Sequence, residues 1–79
     1  MTALDEKIAS FCSEYGLSPQ QTRIFTAMVH GALSNEAIAM RLGVPEGRIR
    51  VHLERIATKT MTISRTELLY LFFLGRRGE

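Results

Sequence analysis

Seventy-nine residues leave room for one small domain, and a hydrophobic content of 46% is typical of a globular chain rather than a disordered one. The single cysteine, Cys12, excludes an internal disulfide framework and a multi-cysteine metal site, and it indicates a reducing compartment. The chain shows no signal-peptide pattern and no apolar run of the roughly 20 residues that cross a bilayer. We therefore expect a soluble cytoplasmic protein with no membrane partner.

The net charge of +2 is unevenly distributed along the chain. Between Arg41 and Arg65 six basic residues accompany two acidic ones, whereas the first sixteen residues carry a net charge of −2. A basic segment on an otherwise near-neutral small domain is typical of a protein that binds a polyanion. A solvated helix face produces the same pattern, and charge alone does not separate the two.

Capping residues and glycines divide the chain into five predicted helices, with no stretch of strand alternation. The predicted helices run from Ala3 to Tyr15, from Pro19 to near Gly31, from Asn35 to Leu42, from Glu46 to about Thr60, and from Arg65 to about Gly75. The first carries an apolar face that must be buried, and Cys12 on that face is expected in the core. The third and fourth helices, joined by a tight turn that contains Gly43, form a helix-turn-helix pattern.

The fourth helix has two chemically distinct sides when its residues are placed at 100° intervals. One side carries Ile49, Leu53 and Ile56, and the opposite side presents Gly47, Val51, Glu54 and Thr58, flanked by Arg50 on one edge and by Arg48 and Arg55 on the other. Arginine can donate to guanine or phosphate, a small apolar side chain can touch a thymine methyl, and glutamate can accept from cytosine N4. This arrangement favours a DNA recognition helix; an exposed amphipathic helix of mixed charge is the alternative.

From Leu17 to about Leu71 the sequence resembles the LuxR/GerE-type helix-turn-helix family in four motifs. The matching segments are Leu17-Ser18-Pro19-Gln20-Gln21, Ser34-Asn35-Glu36-Ala37-Ile38-Ala39 with Leu42-Gly43-Val44, Arg48-Ile49-Arg50-Val51-His52, and Ser64-Arg65-Thr66-Glu67-Leu68. The family patterns at these places are Leu-Thr-x-Arg-Glu, Ser-Asn-Lys-Glu-Ile-Ala, Thr-Val-Lys-x-His and Asn-Arg-Thr-Glu-Ala. Each motif alone is weak, but four in the family's order are specific.

The resemblance implies an all-α four-helix domain; together with the length of the chain it predicts a small helical bundle that forms a single domain over residues 1–79. Residues 17–75 would be the LuxR-like four-helix core, and residues 1–16 an additional N-terminal helix. The helix over residues 46–60 would enter the major groove of double-stranded DNA and regulate transcription. By analogy Arg50, Val51 and Glu54 face the bases, while Ser34, Asn35, Arg48 and His52 contact or point toward phosphates; Arg55 and Lys59 complete the predicted DNA-binding set.

Several positions depart from the family pattern. Gln21 replaces the usual Glu, Glu36-Ala37 replaces Lys-Glu, Arg48 replaces the common Thr, Glu54 stands where a basic residue is frequent, and Lys59-Thr60-Met61 replaces Lys-Leu-Gly. Glu36 and Glu54 also motivate a second hypothesis, a protein-interaction module that binds and modulates another regulator.

The last helix is apolar on all sides, which predicts burial on all sides. Leu68, Leu71 and Phe72 share the face expected to pack into the domain, and Leu69, Tyr70 and Phe73 point away from it. The resemblance implies that this helix pairs two subunits, so a homodimer through Leu69, Tyr70 and Phe73 is expected. Alternatively, the N-terminal helix folds over Leu69 and Phe73 and keeps the protein monomeric, or it offers a docking surface to a protein partner.

One further alternative and two expected absences concern the function class. Val44-Pro45-Glu46-Gly47 followed by basic residues is similar to region 4 of bacterial sigma factors, which also predicts DNA binding. No nucleophile elbow or Gly-rich phosphate loop is present, so we do not expect an enzyme. His30 and His52 are the only histidines and have no cysteine or acidic cluster at metal spacing, so neither a metal nor a cofactor is expected.

Overall fold

The computed structural model describes residues 2–75, which form five α-helices joined by short connections. They are α1 (Ala3–Glu14), α2 (Pro19–Val29), α3 (Asn35–Leu42), α4 (Glu46–Thr60) and α5 (Arg65–Leu74). No strand occurs between residues 2 and 75, and the all-α class expected from the sequence is confirmed. The helix ends agree with the predicted ones to within about two residues, the usual uncertainty of a helix terminus.

Side-chain caps fix the starts of four of the helices. Thr2 and Asp5 exchange reciprocal hydrogen bonds at α1, and Ser18 and Gln21 do the same at α2, so each of these helices begins with a capping box. Ser34 and Ser64 accept from the third helical amide of α3 and α5. The hydrogen bond from the Thr2 amide holds the pKa of the Asp5 carboxyl below its ordinary value, because it stabilises the charged form.

One hydrophobic core unites all five helices. Its buried members are Ile8, Phe11 and Cys12 of α1, Ile24, Phe25, Ala27 and Met28 of α2, Ala32 of the connection between α2 and α3, Ile38 and Ala39 of α3, Ile49 and Ile56 of α4, and Leu68, Leu71 and Phe72 of α5. Cys12 therefore lies in the core as expected, and burial raises the pKa of its thiol. A buried, protonated thiol is a packing group rather than a nucleophile or metal ligand.

The N-terminal helix α1 contributes its apolar face to this core. The Phe11 ring stacks on Phe25 with centroids 4.9 Å apart and meets Phe72 edge-on at 5.3 Å. The Lys7 ammonium lies 5.1 Å from the centre of the Phe72 ring and donates to the Phe73 carbonyl at 3.4 Å. At the start of α1, Asp5 pairs with His30, the C-cap of α2, at 3.7 Å. The apolar face of α1 is thus covered by its own chain and is not free for a partner.

Met61 closes α4 in a left-handed conformation, with φ of 58°. Its amide and that of Thr62 bond back to the carbonyls of Thr58 and Ala57, which satisfies the last turn of the helix. Glycine adopts this conformation freely, whereas a residue with a Cβ is strained in it by about 1–2 kcal/mol. The side chain gives little packing in return, since Met61 is 74% exposed.

Replacing Met61 with Gly is therefore expected to stabilise the fold. The expected gain in the free energy of unfolding is about 1 kcal/mol, because the relieved strain exceeds the extra chain entropy of glycine. For a domain of this size that gain raises Tm by roughly 4–8 °C, measurable by circular dichroism or calorimetry. Met61→Ala is the control: it removes the same exposed side chain but keeps the Cβ, so Tm should stay nearly unchanged. Equal gains in both variants would show that backbone strain is not the cause.

Truncating Phe11 tests whether α1 belongs to the core. Phe11→Ala removes a ring that contacts Phe25 and Phe72, and the expected loss in the free energy of unfolding is about 3–5 kcal/mol. The control, Ser13→Ala, changes an exposed position of the same helix and should alter stability by less than about 0.5 kcal/mol. Urea denaturation of the three proteins measures both values. A Phe11→Ala protein as stable as the wild type would mean that α1 does not pack on the bundle.

Candidate nucleic-acid interface

The turn between α3 and α4 sets the position of α4. Gly43 ends α3 in the left-handed conformation, and the amides of Gly43 and Val44 both bond to the Ala39 carbonyl, at 2.8 and 3.1 Å. Pro45 then precedes the first residue of α4 and fixes the entry of the chain, with φ of −62°. The two helices are held in a helix-turn-helix arrangement by backbone bonds and a pre-set proline angle.

The inner face of α4 anchors the helix to the bundle. Ile49 and Ile56 are fully buried, and half-buried Leu53 packs against the same core. These are the residues that the 100° spacing places on the inner side. Because both isoleucines are stiff, β-branched and completely enclosed, α4 has one defined rotation about its own axis.

The outer face of α4 is exposed along the length of the helix. Gly47, Val51, Glu54 and Thr58 all lie in solvent, as do Arg48, Arg50 and Arg55 at the edges. Within residues 2–75, the three guanidinium groups form no ion pair or hydrogen bond with the protein. Their donors are therefore free to meet an external anion or a base edge.

Two further predicted residues lie at the N-terminal end of α3 and in the middle of α4. Asn35 and His52 are each half-buried, and the Asn35 Oδ1 and His52 Nδ1 atoms are buried without a hydrogen-bond partner among residues 2–75. Buried polar atoms without partners are uncommon in folded proteins. Beside them, the Ser34 hydroxyl is occupied in capping α3, and Glu36 adds a negative charge in its first turn.

Lys59 differs from the other predicted DNA-binding residues of α4. Its ammonium donates to Gln21 Oε1 at 2.7 Å and to the Gly16 carbonyl at 3.0 Å, so it links the end of α4 to the first turn of α2 and to the connection before it. The sequence analysis missed this internal role. The signal was present, because Gln21 stands where the family pattern carries a glutamate, the natural partner of a lysine.

Arg65 also forms a hydrogen bond within the fold that the sequence did not predict. Its guanidinium donates to the Leu33 carbonyl and so links the start of α5 to the connection between α2 and α3. A side chain that reaches a backbone carbonyl far along the chain leaves no pattern in the local sequence, and nothing at position 65 signalled it.

The exposed side of α5 forms an apolar surface. Leu68, Leu71 and Phe72 are buried, as the spacing predicts, and Leu69 is half-buried. Tyr70 and Phe73 remain 51% and 50% exposed, and Leu74, which the sequence analysis did not single out, is 62% exposed. Although Lys7 of α1 reaches the Phe73 carbonyl, α1 leaves half of the Phe73 surface open. We call Leu69, Tyr70, Phe73 and Leu74 the α5 patch.

Among residues 2–75, no three His, Cys, Asp or Glu side chains come together in a way that could hold a metal ion. Over the same residues, no helix combines the length and hydrophobicity needed to span a membrane. A hollow of about 330 Å³ lies between α2 and the end of α3, and none of its lining residues belongs to α4.

Comparison with known proteins identifies the family. The family model GerE, which describes bacterial regulatory proteins of the luxR family, matches residues 15–72. The match begins just after α1 and ends near the end of α5. The matched region contains α3, the turn and α4, and leaves α1 outside it. No curated protein and no solved structure matched the chain. Because the family model covers most of the chain, the protein belongs to the luxR family of bacterial regulatory proteins and is a helix-turn-helix DNA-binding regulator rather than a member of an enzyme family.

Proposed function

We propose that the protein is a sequence-specific transcriptional regulator that binds double-stranded DNA in the cytoplasm, with α4 lying in the major groove. The observation that carries the proposal is the outer face of α4, where Arg48, Arg50 and Arg55 are exposed and have no polar partner among residues 2–75. A helix that is rigidly held by Ile49 and Ile56 can present these donors at a fixed angle. No cofactor is required for this function.

The residues on this face divide by what they would contact. Arg50, Val51 and Glu54 lie toward the bases: arginine can donate to guanine O6 and N7, and valine can touch a thymine methyl. Arg48 and Arg55, on the opposite edge, would bind phosphates and set the register of the helix. Ser34, Asn35 and His52 extend the phosphate contacts to the start of α3. Lys59 holds the recognition helix in place through its bonds to Gly16 and Gln21, so a phosphate contact would be a secondary role of this residue.

A homodimer through the α5 patch completes the proposal. Three apolar side chains on one side of α5 are each at least half exposed: Tyr70, Phe73 and Leu74. Neighbouring exposed apolar side chains of this kind are typical of a contact surface. A two-fold axis along α5 would cover the patch and place two copies of α4 on successive turns of DNA, about 34 Å apart. The binding site would then be an inverted repeat.

The second candidate function is a protein-interaction module that blocks another regulator. Glu36 and Glu54 favour it, because both place negative charge on the surface that would face DNA. The apolar face of α1 is not available to such a partner, because it is buried in the core. Fluorescence anisotropy with pooled duplexes at two salt concentrations separates the functions: DNA binding shows a steep loss with salt, and an interaction module shows no binding even at low salt.

The arginines of α4 are expected to fall into two classes. Arg50→Ala should weaken binding to the preferred duplex by about 1–3 kcal/mol and reduce the preference over other sequences. Arg48→Ala and Arg55→Ala should each weaken binding to all duplexes and lower the salt slope by about one. Anisotropy titrations over a salt series measure both effects. Arg23→Ala on α2 is the control and should change neither; an Arg50→Ala protein with undiminished preference would show that Arg50 does not face the bases.

The α5 patch is expected to control the oligomeric state. The wild type should dimerise with rising concentration in sedimentation velocity, and Tyr70→Glu/Phe73→Glu should remain monomeric, because two carboxylates would be buried unpaired. Met40→Glu, which charges an exposed apolar residue on α3, should dimerise like the wild type. A wild type that stays monomeric at high concentration, or a double variant that dimerises, would rule out α5 as the dimer interface.

A further inference from the structure

Glu54 is a carboxylate in the middle of the basic outer face of α4. Val51 and Thr58 share its side of the helix, and Arg50 precedes it by one turn, about 40° away around the axis. The residue is exposed, and among residues 2–75 its carboxylate forms no ion pair or hydrogen bond, while its backbone carbonyl accepts a bond from the Thr58 hydroxyl. The side chain therefore has no role in holding the fold.

An unpaired carboxylate at this place works against DNA binding in general. Phosphates surround the groove on both sides, so the charge of Glu54 is repelled by every duplex regardless of its sequence. The penalty is offset only where a base offers a hydrogen-bond donor to the carboxylate. A residue that penalises most sequences and favours one raises specificity rather than affinity.

The major-groove edges of the four bases decide which base that is. An ionised carboxylate only accepts hydrogen bonds. Cytosine presents a single donor, its N4 amino group, and adenine presents its N6 amino group beside the N7 acceptor. Guanine and thymine present acceptors, which would face the carboxylate with no proton between them.

We propose that Glu54 selects cytosine at one position of each DNA half-site, by accepting a hydrogen bond from the N4 amino group and by repelling guanine and thymine there. The inference rests on the proposed function, in which α4 lies in the major groove. The order of preference at this position is cytosine, then adenine, then guanine and thymine. Arg50 lies about 6 Å earlier along the helix, near two base-pair steps, so a guanine contact is expected close to the selected cytosine.

The first part of the test is selection from a random duplex library by the full chain at one fixed salt concentration. The wild type should enrich cytosine at one position of each half-site. Glu54→Gln keeps the size of the side chain but adds an amide donor, and glutamine pairs well with adenine. This variant should lose the cytosine preference at that position, shift toward adenine, and keep the wild-type preference elsewhere.

The second part replaces the selected cytosine with N4-methylcytosine, which still pairs with guanine but carries a methyl group where the free amino hydrogen faced the groove. In anisotropy titrations the wild type should lose roughly 5- to 150-fold in affinity, and Glu54→Gln should change by no more than about threefold. Glu46→Gln is the matched control, because it removes the same charge from an exposed residue in the first turn of α4. It should strengthen binding to selected and scrambled duplexes alike and keep the cytosine preference.

The outcomes separate this inference from the function on which it rests. If the wild type and Glu54→Gln respond equally to N4-methylcytosine, or select the same base at every position, the role of Glu54 is overturned while DNA binding stands. If the wild type enriches no duplex above background, the proposed function fails and the inference fails with it. A loss of cytosine preference in Glu46→Gln would also overturn it, because the effect would then belong to charge and not to the position of Glu54.

Discussion

The burial of two isoleucines on α4 is the contact on which the site depends. Ile49 and Ile56 are fully enclosed by the bundle, two turns apart on one side of the helix. A helix fixed at two such points can neither roll nor tilt without opening a cavity, which costs several kcal/mol in a core of this size. The directions of Arg50 and Glu54 are therefore set by packing on the opposite side of the helix, since neither side chain forms an ion pair or hydrogen bond within residues 2–75.

The core also explains how α1 and the matched family region form one bundle. Phe11 brings a third ring against Phe25 and Phe72, and edge-to-face and offset contacts between aromatic rings add to the area that they bury. A chain of this length buries a smaller fraction of its surface than a larger domain does. The extra helix thus supplies apolar surface where a small bundle has least to spare.

Much of the fold follows from local rules, and the helix starts show why. Four helices begin with a residue whose side chain accepts a hydrogen bond from the backbone amide three residues later: Thr2, Ser18, Ser34 and Ser64. Because donor and acceptor are so close along the chain, a short window of sequence contains the whole interaction. The two faces of α4 follow from its period in the same way. Lys59 and Arg65 show the limit: their acceptors, Gly16, Gln21 and Leu33, lie far away along the chain, and only the folded structure brings them within reach. Met61 was recognised as a departure from Gly, but its left-handed backbone became visible only in three dimensions.

The helix α1 and the residue Gly16 that follows it form hydrogen bonds to both α5 and α4. Near its start, Lys7 holds the last turn of α5, and just beyond its end, the Gly16 carbonyl receives the ammonium of Lys59 from the last turn of α4. The N-terminal segment is thus bonded both to α4, which presents its outer face to solvent, and to α5, which carries the α5 patch. Removal of residues 2–16 would therefore take one hydrogen bond away from each of these two helices.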